Sequence, residues 1–159
     1  MSEIYSGEVN IEKELRESGY YASTTKGVSM EPLFRTHRDM IILKAAEGEL
    51  KKYDVALYKY KDKYVLHRVV GVREDCSLIR GDNTYVLERV PKDAILAVLV
   101  EFVRAGKKHS CRDFRYRVYS VLWTKSYHLR VFFRFLKRAV GWPFRRLRRL
   151  FRRKNEKNK

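Results

Sequence analysis

Four residues in the first two thirds of the chain are of types that perform nucleophilic and proton-transfer chemistry. Ser29 lies in TKGVSMEPLF, just after a strand-like run, two residues beyond Gly27 and three before Pro32. A serine at a strand end, with its own backbone N–H nearby, suits a nucleophile beside an oxyanion site. In a turn the same residue equally serves to satisfy backbone groups. His67 lies in KYVLHRVV between apolar residues, the ordinary setting of a partly buried imidazole that donates to a backbone carbonyl. RGDNTYVLE adds two carboxylates, Asp82 and Glu88, six residues apart. Asp82 before Asn83 reads as an Asx-turn residue and Glu88 as a surface charge. Singly each is unremarked; their order and spacing along the chain raise the case for chemistry.

The elements that must position these residues are short. From Tyr20 onward the runs YYASTTKGVS, DMIILKA, DVALYKY, KYVLHRVVGV, CSLIRGD and AILAVLVEFV alternate with AEGELKKYD, YKDK, VREDC and GDNT. Roughly six strands in about 85 residues, without helical periods between them, predict a mainly β fold. The domain spans 20–111, as an antiparallel arrangement whose sheets coil or pack on one another. Alternation predicts half-buried strands in two places. Val55 and Leu57 oppose Ala56, Tyr58 and Tyr60, and Val65, His67 and Val69 share a face opposite Tyr64, Leu66, Arg68 and Val70. Upstream, EVNIEKELRES closed by Gly19 predicts a short N-terminal helix within residues 1–19. AGKKHSCRD reads as a polar linker to a tail over 112–159.

The charge is concentrated in that tail. The whole chain has 36 Lys and Arg against 19 Asp and Glu, a net +17. Residues 112–159 hold 17 of those cations and two acids, Asp113 and Glu156, a net +15, which leaves +2 for residues 1–111. A positive field over the whole domain, as in many nucleic-acid binders, is therefore disfavoured. With 45% hydrophobic residues wholesale disorder is excluded. Within the tail, 129–140 places Leu129, Phe132, Phe133, Leu136, Ala139 and Val140 opposite Arg130, Arg134, Lys137 and Arg138. After Gly141-Trp142-Pro143, residues 144–153 repeat the design, so two amphipathic helices are predicted. A basic face backed by an aromatic one suits an anionic membrane surface, where each cation contributes on the order of 1 kcal/mol. Packing on the β core or on a partner protein stands second. Nucleic acid stands last, because the aromatics share the apolar face instead of interleaving with the charges. Residues 116–128 either extend the first helix or dock on the core.

The N-terminus lacks a basic stretch followed by an apolar one, and no run approaches the ~20 apolar residues of a membrane span. A cytoplasmic protein, peripheral on the inner face of the cell membrane, is expected. Cys76 and Cys111 lack motif spacing and are expected as free thiols. His37, His67, His109 and His128 are widely spread, so neither a metal nor a cofactor is expected.

Taken together, GVSMEP, YVLHRVV about forty residues later, and RGDN resemble the three boxes of the signal peptidase and self-cleaving repressor superfamily of serine peptidases. RDMIIL and KKYDVALY resemble the strands between those boxes, and the resemblance covers roughly residues 20–103. His67-Arg68-Val69 resembles the endoplasmic-reticulum type, which carries histidine where bacterial signal peptidases and repressors carry lysine. The resemblance implies a signal-peptidase-like coiled β domain with Ser29 as nucleophile and His67 as general base. Backbone N–H groups near Ser29 would form the oxyanion hole. An acid six residues beyond the GDN aspartate orients the histidine in that type, which implies Glu88, one methylene longer than the usual Asp, as third member. Asp82 matches the GDN aspartate and either shares that role or braces the turn. The chain departs from the family in having Tyr53 where glycine usually precedes the Asp-Val, and in the expected absence of a membrane anchor or a DNA-binding domain. The resulting expectation is a serine endopeptidase acting on a peptide or precursor protein at a membrane surface. The alternative keeps the fold as a non-catalytic peptide-binding or scaffold module docked by its tail.

Overall fold

The computed structural model describes residues 10–133 and 135–136, with the backbone of a two-residue strand at 3–4. The chain forms two compact units, 1–124 and 125–159.

The first unit is mainly β. Among the described residues it contains β1 (Glu3–Ile4), β2 (Tyr20–Lys26), β3 (Met40–Ala45), β4 (Val55–Tyr60), β5 (Lys63–Val72), β6 (Cys76–Arg80), β7 (Glu88–Pro91), β8 (Ile95–Arg104) and β9 (Lys107–Ser110). Two α-helices, α1 (Ile11–Ser18) and α2 (Phe114–Lys125), and a short 3-10 helix (Lys92–Ala94) accompany them. All pairings are antiparallel, in the order β1-β2-β3-β8-β4-β5-β6-β7, with β9 on the free edge of β8. β1 pairs with β2 and also with β5, so the sheet coils back on itself. The sheet therefore has two faces to fill, and both β4 and β5 are buried on each.

Their alternation divides the core. Val55, Leu57 and Leu66 enter one cluster with Ile11, Leu15, Met30, Phe34, Ile41, Leu43, Leu99 and Phe102. Ala56, Tyr58, Val65 and Val69 enter a second with Ile79 and Val90. The half-buried strands expected from the pattern are thus buried on both sides at Val55–Tyr58 and Val65–Val69. The coiled sheet supplies cover for the second face, which a single strand's periodicity does not reveal. A two-residue turn at Lys61-Asp62 sets the β4–β5 register, with Tyr60 opposite Lys63 and Ala56 opposite His67.

α1 begins and ends where its residue types require. The Asn10 side chain accepts from the Lys13 N–H at 3.2 Å, Glu12 and Glu14 occupy the positive first turn, and Gly19 closes the helix at φ 75°. Ile11 and Leu15 face the core. The Glu12 carboxylate accepts from Tyr64 at 2.9 Å and Lys59 at 3.1 Å, tying the helix to the β4–β5 hairpin.

Three elements were not legible beforehand. The stretch expected as a polar linker contains β9, whose Lys107 and Ser110 pair with Arg104 and Glu101 of β8. β7 was hidden in RGDNTYVLE and the residues after it. α2, expected with the tail, lies almost wholly within the first unit. In the second unit the backbone is helical at 127–133 and 135–136, and Leu129, Phe132, Phe133 and Leu136 are exposed. Residue 134 and residues 137–159, and with them most of the two predicted amphipathic helices, lie outside the described residues.

Candidate active site

Ser29 sits in the loop between β2 and β3, and that loop is held by its own apolar residues. Met30, Leu33 and Phe34 are buried in the first cluster and act as plugs. Gly27 turns the chain with φ 95°, a conformation that an L side chain resists, and its carbonyl accepts from Thr36 Oγ1 at 2.6 Å. The Leu33 N–H bonds the Met30 carbonyl at 2.9 Å, closing the turn after Ser29.

His67 comes from the middle of β5, on the face it shares with Val65 and Val69. Its Nε2 lies 2.8 Å from Ser29 Oγ. The two residues are 38 positions apart in sequence and are brought together by the coiling of the sheet. Both are buried, Ser29 at 2% and His67 at 1% exposure. Burial pulls the imidazole down from its ordinary value to about 4, so the ring is neutral at physiological pH.

The β6–β7 hairpin delivers the acids to different places. Ile79 opposes Glu88 in that pair, and Val69 opposes Ile79 in the next, so Glu88 and Val90 fall on the His67 face. Glu88 Oε1 stands 3.7 Å from His67 Nδ1. Tyr58, from β4, lies between them: its hydroxyl is 3.1 Å from Nδ1 and donates to Glu88 Oε2. Burial and the Glu88 carboxylate push the Tyr58 hydroxyl well above its ordinary value, so it keeps its proton.

Asp82, offered by sequence as a possible partner of His67, is not brought to it. β5 sends Arg68 to the face opposite His67, and Arg68 binds Asp82 bidentately, Nε to Oδ1 at 2.7 Å and Nη2 to Oδ2 at 2.8 Å. Burial alone would lower the guanidinium, but the facing carboxylate outweighs it and holds the group above its ordinary value. Arg68 Nη1 also donates to Ser120 Oγ at 2.9 Å and to the Tyr53 carbonyl at 3.0 Å. From α2, Tyr119 donates to Asp82 Oδ2 at 3.3 Å and Trp123 Nε1 to the Asp82 carbonyl at 3.0 Å. Asp82 is therefore a brace. The turn it anchors then grips the Ser29 loop: the Asn83 N–H donates to the Ser29 carbonyl at 2.7 Å, and Asn83 Nδ2 to the Val28 carbonyl at 3.2 Å. Gly81 passes so close that a Cβ there would stand 2.8 Å from the Ser29 carbonyl and 3.0 Å from His67 Nε2.

Sequence reasoning missed Tyr58 and the α2 residues. The signal for Tyr58 was present, since the tight β4–β5 turn puts Tyr58 diagonally across from His67 on one face. Nothing comparable marked Ser120 or Trp123, which reach the site across long sequence separations. Cys76 and Cys111 are both free. No group of three or more His, Cys, Asp or Glu side chains able to hold a metal gathers among the described residues.

Comparison with protein-family models, with curated proteins and with solved structures finds no match.

Proposed function

We propose that the chain is a serine peptidase of signal-peptidase-like type, hydrolysing a peptide bond in a peptide or precursor protein. The observation that carries this reading is the buried Ser29 Oγ to His67 Nε2 contact of 2.8 Å, with a carboxylate-tethered hydroxyl at the far nitrogen of the same ring. A neutral imidazole at hydrogen-bond distance from a serine hydroxyl is the arrangement that raises a weak nucleophile to a working one.

In this mechanism Ser29 Oγ forms a bond to the scissile carbonyl carbon as its proton passes to His67 Nε2. The resulting imidazolium returns that proton to the leaving amine as the C–N bond breaks. Water then attacks the acyl ester by the same path in reverse, giving the acid and restoring Ser29. The peptide enters beside Thr84–Leu87, a stretch in no strand that follows the Asn83 clamp and exposes Tyr85, Val86 and Leu87. Val28, next to the nucleophile, is also exposed.

The surface supports a site of work at an anionic membrane. The outer side of α2 exposes Phe114, Val118 and Leu122 at four-residue spacing, while its other side carries Tyr116, Tyr119, Ser120 and Trp123 toward Arg68 and Asp82. In the second unit Leu129, Phe132, Phe133 and Leu136 are exposed within a strongly basic segment. An apolar stripe beside many cations fits the headgroup plane. No helix among the described residues is long and apolar enough to cross a membrane.

The test is a mixture of extended peptides incubated with the full chain and read by mass spectrometry. Cleavage at a defined bond is expected for the native protein and its loss for Ser29→Ala, with an unchanged thermal transition. Undiminished cleavage by Ser29→Ala would remove the catalytic assignment.

A further inference from the structure

We propose that the Tyr58 hydroxyl is the group that holds His67 in its working tautomer, and that Glu88 acts on the imidazole only through Tyr58. This rests on the peptidase reading and replaces its directly bonded third acid with a positioning residue that the sequence comparison of motifs does not contain.

The argument follows the protons. To receive the Ser29 proton, Nε2 must carry none, so the ring hydrogen of neutral His67 has to sit on Nδ1. That N–H needs an acceptor, because an unpaired buried donor is costly. Tyr58 Oη stands at 3.1 Å, within hydrogen-bond range, whereas Glu88 Oε1 at 3.7 Å does not. Tyr58 has spent its own hydrogen on Glu88 Oε2, which leaves its oxygen lone pairs for the imidazole. The chain of donors therefore runs in one direction: Ser29 O–H to Nε2, Nδ1–H to Tyr58 Oη, Tyr58 O–H to Glu88.

The arrangement also has an electrostatic logic. A carboxylate in direct contact with a ring that is 1% exposed would have to shed most of its water. Glu88 instead keeps 19% of its side chain exposed, and the buried Tyr58 hydroxyl relays its negative field. Tyr58 is held in place by packing, at 1% exposure among Val65, Val69, Ile79 and Val90. Among the described residues the ionisable groups that face the His67 ring are Tyr58 and Glu88, with Ser29 and the Gly81 backbone at its other edge and Arg68 and Asp82 across β5; the positive N-terminal amino group also disfavours the charged ring.

Nitrogen-15 NMR of the full chain labelled at histidine reads the tautomer with no substrate. The Nδ1–H form is expected for His67 in the native protein. Tyr58→Phe should mix the two tautomers with Glu88 still present and lower the His67 titration further, and Glu88→Ala, which releases the Tyr58 hydrogen to turn toward Nδ1, should mix them as well. With a cleaved peptide in hand, Tyr58→Phe should slow turnover roughly 10- to 100-fold, less than the ~10²- to 10⁴-fold contributed by an acid–base group itself, because Tyr58 positions the base and does not replace it. Glu88→Gln added to Tyr58→Phe should then change it by less than about 2-fold, because groups acting in series are not additive. A native tautomer and rate in Tyr58→Phe, or a native tautomer in Glu88→Ala, would overturn the relay. If Ser29→Ala proves as active as the native chain, the peptidase reading fails, and the tautomer measurement still decides the relay.

Discussion

Asp82→Asn separates the two acids most sharply. The native carboxylate accepts two charge-assisted hydrogen bonds from Arg68 at 2.7 and 2.8 Å, with side-chain exposures of 1% for Arg68 and 3% for Asp82. An amide of the same shape keeps one acceptor and turns its other end into a donor that confronts a guanidinium donor. Arg68 remains charged and buried, with one amide oxygen, the Tyr53 carbonyl, Ser120 and Tyr116 left to accept from it. Breaking a buried pair from one side destabilises by about 3–5 kcal/mol. That is a large share of the total for a domain of this size, commonly ~5–15 kcal/mol. Urea denaturation followed by tryptophan fluorescence measures it directly, since Trp123 bonds the Asp82 carbonyl and should report the same transition. The Arg68→Met, Asp82→Asn double variant should lose less than the sum of the single losses, because the stranded charge is gone. The His67 tautomer should be native in whatever fraction of Asp82→Asn stays folded. A loss under about 1 kcal/mol combined with a changed His67 titration would refute the assignment of Asp82 as a brace.

Three further outcomes follow from the same contacts. The folded pKa of His67, about 4, lies below its ordinary 6.5, so the unfolded chain binds more protons between those values. Stability from this group is complete above about pH 6.5 and declines as pH falls toward about 4, by about 3 kcal/mol in all, a loss that a matched His67→Gln titration should lack. Gly81→Ala should abolish cleavage, since its Cβ would meet a backbone oxygen at 2.8 Å and the His67 ring at 3.0 Å; an active, native-like Gly81→Ala would contradict the described approach. Deleting residues 129–159 should abolish flotation with anionic vesicles, and raised salt should weaken it in the full chain. Equal binding to neutral vesicles would exclude the electrostatic account.

The antiparallel β class, a short N-terminal helix stopped by Gly19 and the location of Ser29 and His67 were legible because each depends on neighbours in sequence. Period-two alternation assigns His67 and Arg68 to opposite faces, and Gly19 ends the helix by a local hydrogen bond, whereas the Asn10 cap that starts it at Ile11 was not read. β9 was misread as linker because KKHS is polar, and what makes it a strand is the open edge of β8 that it pairs with. α2 was equally opaque, since apolar and aromatic residues occur on both its sides and no single stripe announces a buried face.

The choice between the two acids illustrates the same division. By itself the sequence determined that a serine, a histidine and two carboxylates occur in an order resembling the boxes of a serine-peptidase superfamily, and that the basic excess is concentrated in the tail. It could not say which acid meets His67, because six residues of separation do not specify how a hairpin returns. Tertiary structure decided that. The β6–β7 pairing carries Glu88 back onto the His67 face, Arg68 draws Asp82 to the other, and Tyr58 from a neighbouring strand occupies the space between ring and acid. These are contacts across 9, 14 and 30 positions of chain, set by sheet register and by the need to pair every buried charge and donor.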